Sequence, residues 1–286
     1  MARSALAISA SLLAACSAAA PDAVNPFPSR SSAFTVFPNF TYGGGPLLHN
    51  TQISVVSWNS AVQFSGSLPG FYSTINSSPY VTWLNEYSAG GAGSLVAAVV
   101  DPNPPASNPV QQFQIEQELT NLVSQGALPP PGANSLYMVH FPPGVQILAG
   151  GWFSCVDASD GFCGFHSSFS SPYGTMYYGV IADVGPCGSR CGPSDAFGNT
   201  TTTAGHELLE AITDPLNNSG WTDPNNGEIA DACQGTVGNI SGYTVHRGWS
   251  VAQEACVVDN PCQSCPGGYS CHCGDFVCRS SIGQCP

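Results

Sequence analysis

The chain has 286 residues, 43% of them hydrophobic, enough for one sizeable domain and a small addition. Only 8% are charged, with five arginines, no lysine and a formal net charge of −13. That balance argues against nucleic acid or an anionic membrane as partner, since both are gripped by clustered Lys and Arg. A surface drawn from Ser, Thr, Asn and Gly points to secretion instead.

Residues 1–20 read as a signal peptide, with Arg3 as a minimal positive start, an apolar run from Ala5 to Ala15, and small residues at Ala18, Ala19 and Ala20. The run is too short to span a bilayer, and no other apolar run approaches that length. Leu13-Ala14-Ala15-Cys16 also fits a bacterial lipoprotein box, which would leave Cys16 lipidated. Sequons at Asn39, Asn76, Asn199, Asn217 and Asn239 favour cleavage without lipid and predict a glycoprotein. Of thirteen cysteines, twelve remain once Cys16 is lost, an even count that predicts a framework of six disulfides in an exported chain.

A Pro- and Ser-rich arm occupies 21–41. Alternation predicts a strand in Gln52–Val62, around Ile53, Val55, Ser57, Trp58 and Val62. One or two helices follow over Pro69–Ser88, burying Phe71, Tyr72, Ile75, Tyr80, Trp83 and Leu84. Leu95–Val100 reads as a buried strand. Val110–Gln125 reads as an amphipathic helix showing Phe113, Ile115, Leu119 and Leu122. Further strands are expected in Ser135–Val145 and Met176–Val184. Strands alternating with helices indicate a layered α/β domain over 42–259. Cys155 with Cys163 and Cys187 with Cys191 are expected to close local loops, and Cys233 to pair with Cys256. From residue 260 onward six cysteines fall close together, predicting a separate stapled module over 260–286 with three bridges.

The chemistry gathers in Thr201-Thr202-Thr203-Ala204-Gly205-His206-Glu207-Leu208-Leu209-Glu210-Ala211-Ile212-Thr213-Asp214-Pro215. This reads as one helix, begun by hydroxyl residues that cap free N–H groups and stopped by Pro215. Residues four apart share a helix face, so His206 and Glu210 project together while Glu207 reaches in from the flank. That is the layout of the zinc-peptidase helix H-E-x-x-H with a carboxylate in place of the second histidine. Downstream, Glu228 and Asp231 each offer a third ligand. Four carboxylates (Glu207, Glu210, Glu228, Asp231) and a histidine thus fall within 26 residues of a chain poor in charge, on an otherwise apolar helix where unpaired carboxylates are costly. Zinc bound by His206, Glu210 and either Glu228 or Asp231 is the expectation, with Glu207 as general base. Asp214, or the carboxylate not on the metal, is expected to orient His206.

Weaker candidates remain. The oxygen-rich stretch 223–228 is a lesser calcium candidate beside a plain Asx-rich turn. His166 and His140 are placed as supporting donors or substrate contacts, with a structural role the more ordinary expectation for each. His246 and His272 are read as surface residues.

Several blocks, in order over about residues 40–257, resemble the EXORDIUM / phosphate-induced protein family of plant cell walls and its microbial relatives. They are Tyr42-Gly43-Gly44-Gly45-Pro46-Leu47-Leu48; Cys163-Gly164-Phe165-His166-Ser167-Ser168; Tyr177-Tyr178-Gly179-Val180 with Cys187 and Cys191; Thr213-Asp214-Pro215; and Glu228 through Cys233. The resemblance implies an extracellular protein. Plant members lack the groups corresponding to His206, Glu207 and Glu210 but keep one at Glu228, whereas the microbial relatives carry all of them. The run from His206 to Asp214 is also similar to thermolysin-like peptidases, which implies a zincin-like layered domain with a mixed sheet and an active-site helix. Thermolysin-like peptidases favour Glu228 as third ligand; the plant pattern favours Asp231. Two functions follow as expectations. One is a secreted, monomeric zinc metallohydrolase acting on extracellular protein or peptide. The other is a non-catalytic extracellular or cell-wall binding or signalling protein with a structural or absent metal, and in either case the terminal module is a candidate contact for wall polysaccharide.

Overall fold

The computed structural model describes residues 37–155, 161–259, 269–271 and 278–280. The signal segment, Cys16, the arm up to residue 36, His272 and the side chains expected to form the terminal bridges lie outside the described residues. Within the terminal stretch, Tyr269–Cys271 pairs antiparallel with Cys278–Ser280. No helix among the described residues is long and apolar enough to cross a membrane.

Five strands form a mixed sheet: β1 (Gln52–Ser57), β2 (Ser94–Val100), β3 (Ser135–His140), β4 (Gly164–Ser171) and β5 (Gly174–Ile181), in the order β2-β1-β3-β5-β4. The pairs β1–β2, β1–β3 and β3–β5 are parallel, and β4 folds back antiparallel on β5 at the edge with His166 opposite Gly179. Parallel neighbours need long crossovers. The helix α1 (Leu68–Ile75) and the short helix Pro79–Thr82 lie in the first, and α2 (Gln112–Ser124) lies in the next.

Side-chain alternation sorts the sheet into two cores. Ile53, Val55, Leu136, Met138 and Ile181 share one with Phe71, Tyr72 and Ile75 of α1 and with Leu208, Leu209 and Ile212. Val56, Tyr137, Val139, Met176, Tyr178 and Val180 share the other with Ile115, Leu119 and Leu122 of α2. The result is a layered, mixed α/β domain. The helix α3 (Ala196–Thr213) is buried at every position from Gly198 to Thr213, held between β4 and β5 on one side and the hairpin β6 (Val237–Ile240) and β7 (Tyr243–His246) on another.

Several expectations are corrected. The strand at 94–100 is not buried but forms the sheet edge among the described residues, so every second residue faces solvent, with Val96 45% and Val100 51% exposed. Phe113 points outward because it lies about 200° round the helix from Ile115. The helix carrying His206 begins at Ala196, not in the hydroxyl run. Asp195 caps it, accepting from Gly198 N at 2.7 Å, and Thr200–Thr203 are buried inside, with Thr201 Oγ1 donating to Thr244 O at 2.7 Å. The sequons at Asn76 and Asn199 are closed to glycosylation in the fold. Both side chains are buried, Asn76 donating to Thr51 O and Asn199 to Gly188 O.

The local pairs Cys155 with Cys163 and Cys187 with Cys191 do not form. The bridges are Cys155–Cys187 and Cys163–Cys191, with Cys233–Cys256 as expected. Ala182 N donates to Cys163 O, which lays the 185–191 turn across the start of β4 and puts each of its cysteines beside one from the earlier segment. With separations of 32 and 28 residues, either bridge alone is worth about 3–4 kcal/mol in the chain-entropy picture. Together they fix the approach to α3 against the start of β4.

Glycine makes the close seating of α3 possible. A Cβ on Gly164 would lie 2.8 Å from Thr203 Cγ2, 2.8 Å from Val180 O and 2.9 Å from Glu207 Oε1. Gly164→Ala is therefore expected to cost about 1–3 kcal/mol in urea unfolding. Gly66→Ala, whose Cβ would have nothing within 4 Å, is the control, expected to stay within about 0.5 kcal/mol.

Candidate metal centre

His206 and Glu210 lie one turn apart on α3, with His206 Nε2 3.1 Å from Glu210 Oε1. Beyond Thr213 the chain cannot continue as helix through Pro215. Asp214 ends it, donating its N–H to Glu210 O, and its Oδ1 accepts from Gly220 N at 2.7 Å and Ser219 N at 3.1 Å. This clamp turns the chain back, and the segment 228–233 returns to the face of α3 that carries His206. Asp231 Oδ1 arrives 3.5 Å from His206 Nε2, and Asp231 N donates to Glu210 Oε1 at 3.2 Å. His206, Glu210 and Asp231 thus form a three-donor group whose atoms all lie within 4.8 Å of one another.

Glu228 sits on the other flank, its Oε1 3.5 Å from His166 Nε2. Sequence reasoning ranked His166 low, yet β4 delivers it into the cluster. Its Nδ1 is 3.6 Å from Glu207 Oε2 and 3.7 Å from Glu210 Oε2, and its Nε2 donates to Asp214 O at 3.1 Å. The orienting contact expected from Asp214 to His206 therefore goes to His166, through the backbone carbonyl. The signal was present in the alternation of Gly164, Phe165 and His166, which puts the glycine and the histidine on the face toward α3.

His246, read as a surface residue, is fully buried at the end of β7, its ring edge-on to His206 with centroids 4.7 Å apart. Its Nδ1–H donates to Arg247 O at 2.7 Å. His140 is buried against Tyr72, hydrogen-bonded to its hydroxyl at 2.9 Å, and does not join this donor group. The 223–228 loop is an Asx turn: Asp223 Oδ1 accepts from Asn225 N, Asn226 N and Asn226 Nδ2, and Oδ2 from Asn39 N. Those N–H donors use both carboxylate oxygens, and Glu228 turns away to His166, so the loop's geometry gives the calcium expectation no support.

The electrostatics are one-sided. Glu207, Glu210, Asp214, Glu228 and Asp231 converge here, while the arginines with described side chains bond elsewhere, Arg190 to Gly161 O and Arg247 to Val237 O and Cys256 O. Burial, then the Asp231 and Glu207 charges, pushes Glu210 well above the carboxylate range. Burial, then Glu210, Asp214 and Asp231, does the same to Glu228 against the pull of His166. Burial raises Asp231 as well, against the opposing charge of His206. Burial alone would lower His166, but Glu228, Glu207 and Asp214 overcome it and raise the imidazole to about 9. His246 is held neutral, well below its usual range, chiefly by burial.

The donor set fits a metal ion. Glu207 Oε2, Glu210 Oε2, Glu228 Oε1, Asp231 Oδ1 and His166 Nδ1 are buried without a hydrogen-bond partner, where each would otherwise cost about 1–3 kcal/mol. A tetrahedral zinc with bonds near 2.0 Å holds its donors about 3.3 Å apart. The His206 separations of 3.1 and 3.5 Å bracket that edge length. No protein-family model, curated protein or solved structure matches the chain.

Proposed function

We propose that the protein is a secreted zinc-dependent hydrolase, of the peptidase type, with His206, Glu210 and Asp231 as the residues that would hold the ion. The observation that carries this is the convergence of these donors at metal-edge spacing, with buried carboxylate oxygens lacking any other partner. The resemblance to microbial EXORDIUM-type chains agrees, as does a mixed sheet backed by a buried helix that carries the motif. When bound, zinc supplies Lewis-acid polarisation of a carbonyl and brings the pKa of water to about 7.

The chain's own groups do the rest. Glu207, on the adjoining helix face, takes the proton at Oε2 and delivers it to the leaving amine. His166 Nδ1 lies beside this oxygen, 3.6 Å from Glu207 Oε2. Asp214 holds His166 through its carbonyl, and the ring of His246 walls the far side of His206. Only Glu228 and Asp231, with side chains 13% exposed, open the cluster toward solvent, so substrate approaches from the 228–231 side.

That depth of burial also favours a second reading, a closed structural metal in a non-catalytic wall protein. One experiment separates them: zinc content by mass spectrometry alongside hydrolysis of a fluorogenic peptide library, wild type beside His206→Ala. Zinc and hydrolysis lost together in the variant are the expected result. Zinc present with no hydrolysis across the library would favour the structural reading, and no zinc in folded wild type would overturn both.

A further inference from the structure

The carboxylate of Glu210 faces two ways. Its Oε1 belongs to the His206 and Asp231 group, and its Oε2 points to His166 Nδ1 at 3.7 Å, where Glu207 Oε2 also arrives at 3.6 Å. His166, Glu207 and Glu210 form a second three-donor group, again with all donor atoms within 4.8 Å and all three residues buried. We propose that this pocket is a second cation site, so that the protein binds two divalent ions bridged by Glu210. The proposal rests on the metal reading of the His206 group and adds to it.

Three observations point to a ligand here beyond the acidity of the cluster. His166 Nδ1, Glu207 Oε2 and Glu210 Oε2 are each buried and lack a hydrogen-bond partner, although they face one another. The other ring nitrogen of His166 is committed to Asp214 O, a carbonyl that only accepts, so when the ring gives up its second proton the Nδ1 lone pair faces inward. His166 Nδ1 stands 3.6 Å from Glu207 Oε2 and 3.7 Å from Glu210 Oε2, beyond hydrogen-bonding reach yet near the edge of a metal tetrahedron. Either a proton on Nδ1 or a cation among the three resolves the arrangement. A carboxylate shared between two ions about 3.5–4 Å apart is the layout of two-metal hydrolytic centres. The second ion would also take the Glu207 oxygen that otherwise accepts the proton, making occupancy of the pocket a control on the first site.

The test is a calorimetric titration of chelator-stripped full-length protein with Zn²⁺, checked by metal analysis after desalting, on wild type, His166→Ala, Glu207→Gln and His206→Ala. The expected result is two equivalents in wild type and one in His166→Ala and Glu207→Gln, with affinity for the lost site reduced at least about 10–100-fold. His206→Ala is expected to lose the other equivalent. One equivalent in wild type that survives His166→Ala and Glu207→Gln but is lost with His206→Ala would overturn the second site and leave the first intact. One equivalent lost in all three variants would mean a single ion spanning both histidines, and would also overturn the proposal. No zinc in any protein would overturn it together with the hydrolase reading. If His166→Ala does not fold, as judged by circular dichroism, the near-isosteric Glu207→Gln and the wild-type stoichiometry decide.

Discussion

Glu207→Gln, assayed at one equivalent of zinc per chain, is expected to keep that equivalent bound and to lower peptide hydrolysis by about 10²–10⁴-fold, the usual range for losing a positioned general base. The amide keeps the side chain's shape. That matters because Glu207 is wedged where α3 crosses β4 and β5, its Cβ 3.6 Å from the space above Gly179 and its Oε1 against Gly164. Glu207→Ala would open a hole under α3 and mix lost chemistry with lost packing, whereas the glutamine removes only the capacity to take a proton. The loss should fall on kcat with KM little changed, because the proton transfer belongs to the transition state. Loading both proteins with the same one equivalent keeps total zinc out of the comparison. Undiminished hydrolysis with zinc still bound would remove Glu207 from the mechanism and return the role to another carboxylate of the cluster.

What could be read ahead of the structure follows from how local each feature is. The pairing of His206 with Glu210 is set by helix geometry within five residues, so spacing alone found it, and the distance of 3.1 Å agrees. The helices at 68–82 and 112–124 were legible for the same reason. The start of α3 was misjudged because the threonine run imitates a capping segment, whereas Asp195 caps and the threonines bond inward. His166 and His246 were underrated because their places depend on long-range register: His166 opposite Gly179 across an antiparallel edge, and His246 at the end of a hairpin folded over α3. Strand β4 itself was hidden by its serines, which dilute the apolar alternation. The crossed disulfides were likewise beyond sequence, since proximity in the chain favoured the local pairs while Ala182 bonding to Cys163 brings the distant ones together. The choice between Asp231 and Glu228, balanced in the sequence, divides in space: Asp231 goes to His206, Glu228 to His166.

Stripping the metal is expected to leave a protein whose stability falls as pH rises from 7 to 9, while the zinc-loaded protein does not lose stability over that range. The sign follows from proton linkage. In the metal-free fold Glu210 and Glu228 are pushed well above the carboxylate range, so the folded chain keeps protons that the unfolded chain has released, and raising the pH favours unfolding. His166, raised to about 9, adds stability that is fully present below its ordinary value of 6.5 and is lost as pH climbs through about 9. His140, lowered to about 3, and His246, also lowered, act the other way, because the unfolded chain binds protons that the fold refuses. Their effect lies on the acid side of 6.5 and is complete by pH 7. Tyr72 and Tyr80, raised by burial and by Glu207 and Glu210 respectively, titrate above the window. Between pH 7 and 9 the groups that remain thus act in one direction, and His166 alone accounts for on the order of 2 kcal/mol. For a domain of this size that corresponds to a fall in Tm of about 4–8 °C. Zinc reverses the dependence, since its ligands must be deprotonated and its affinity rises with pH. Thermal unfolding at pH 7, 8 and 9, in chelator and in zinc, should therefore show two curves that diverge. A chelated protein equally stable at pH 7 and 9 would mean that these carboxylates do not share a buried cluster with His166, and the metal centre would lose its physical basis.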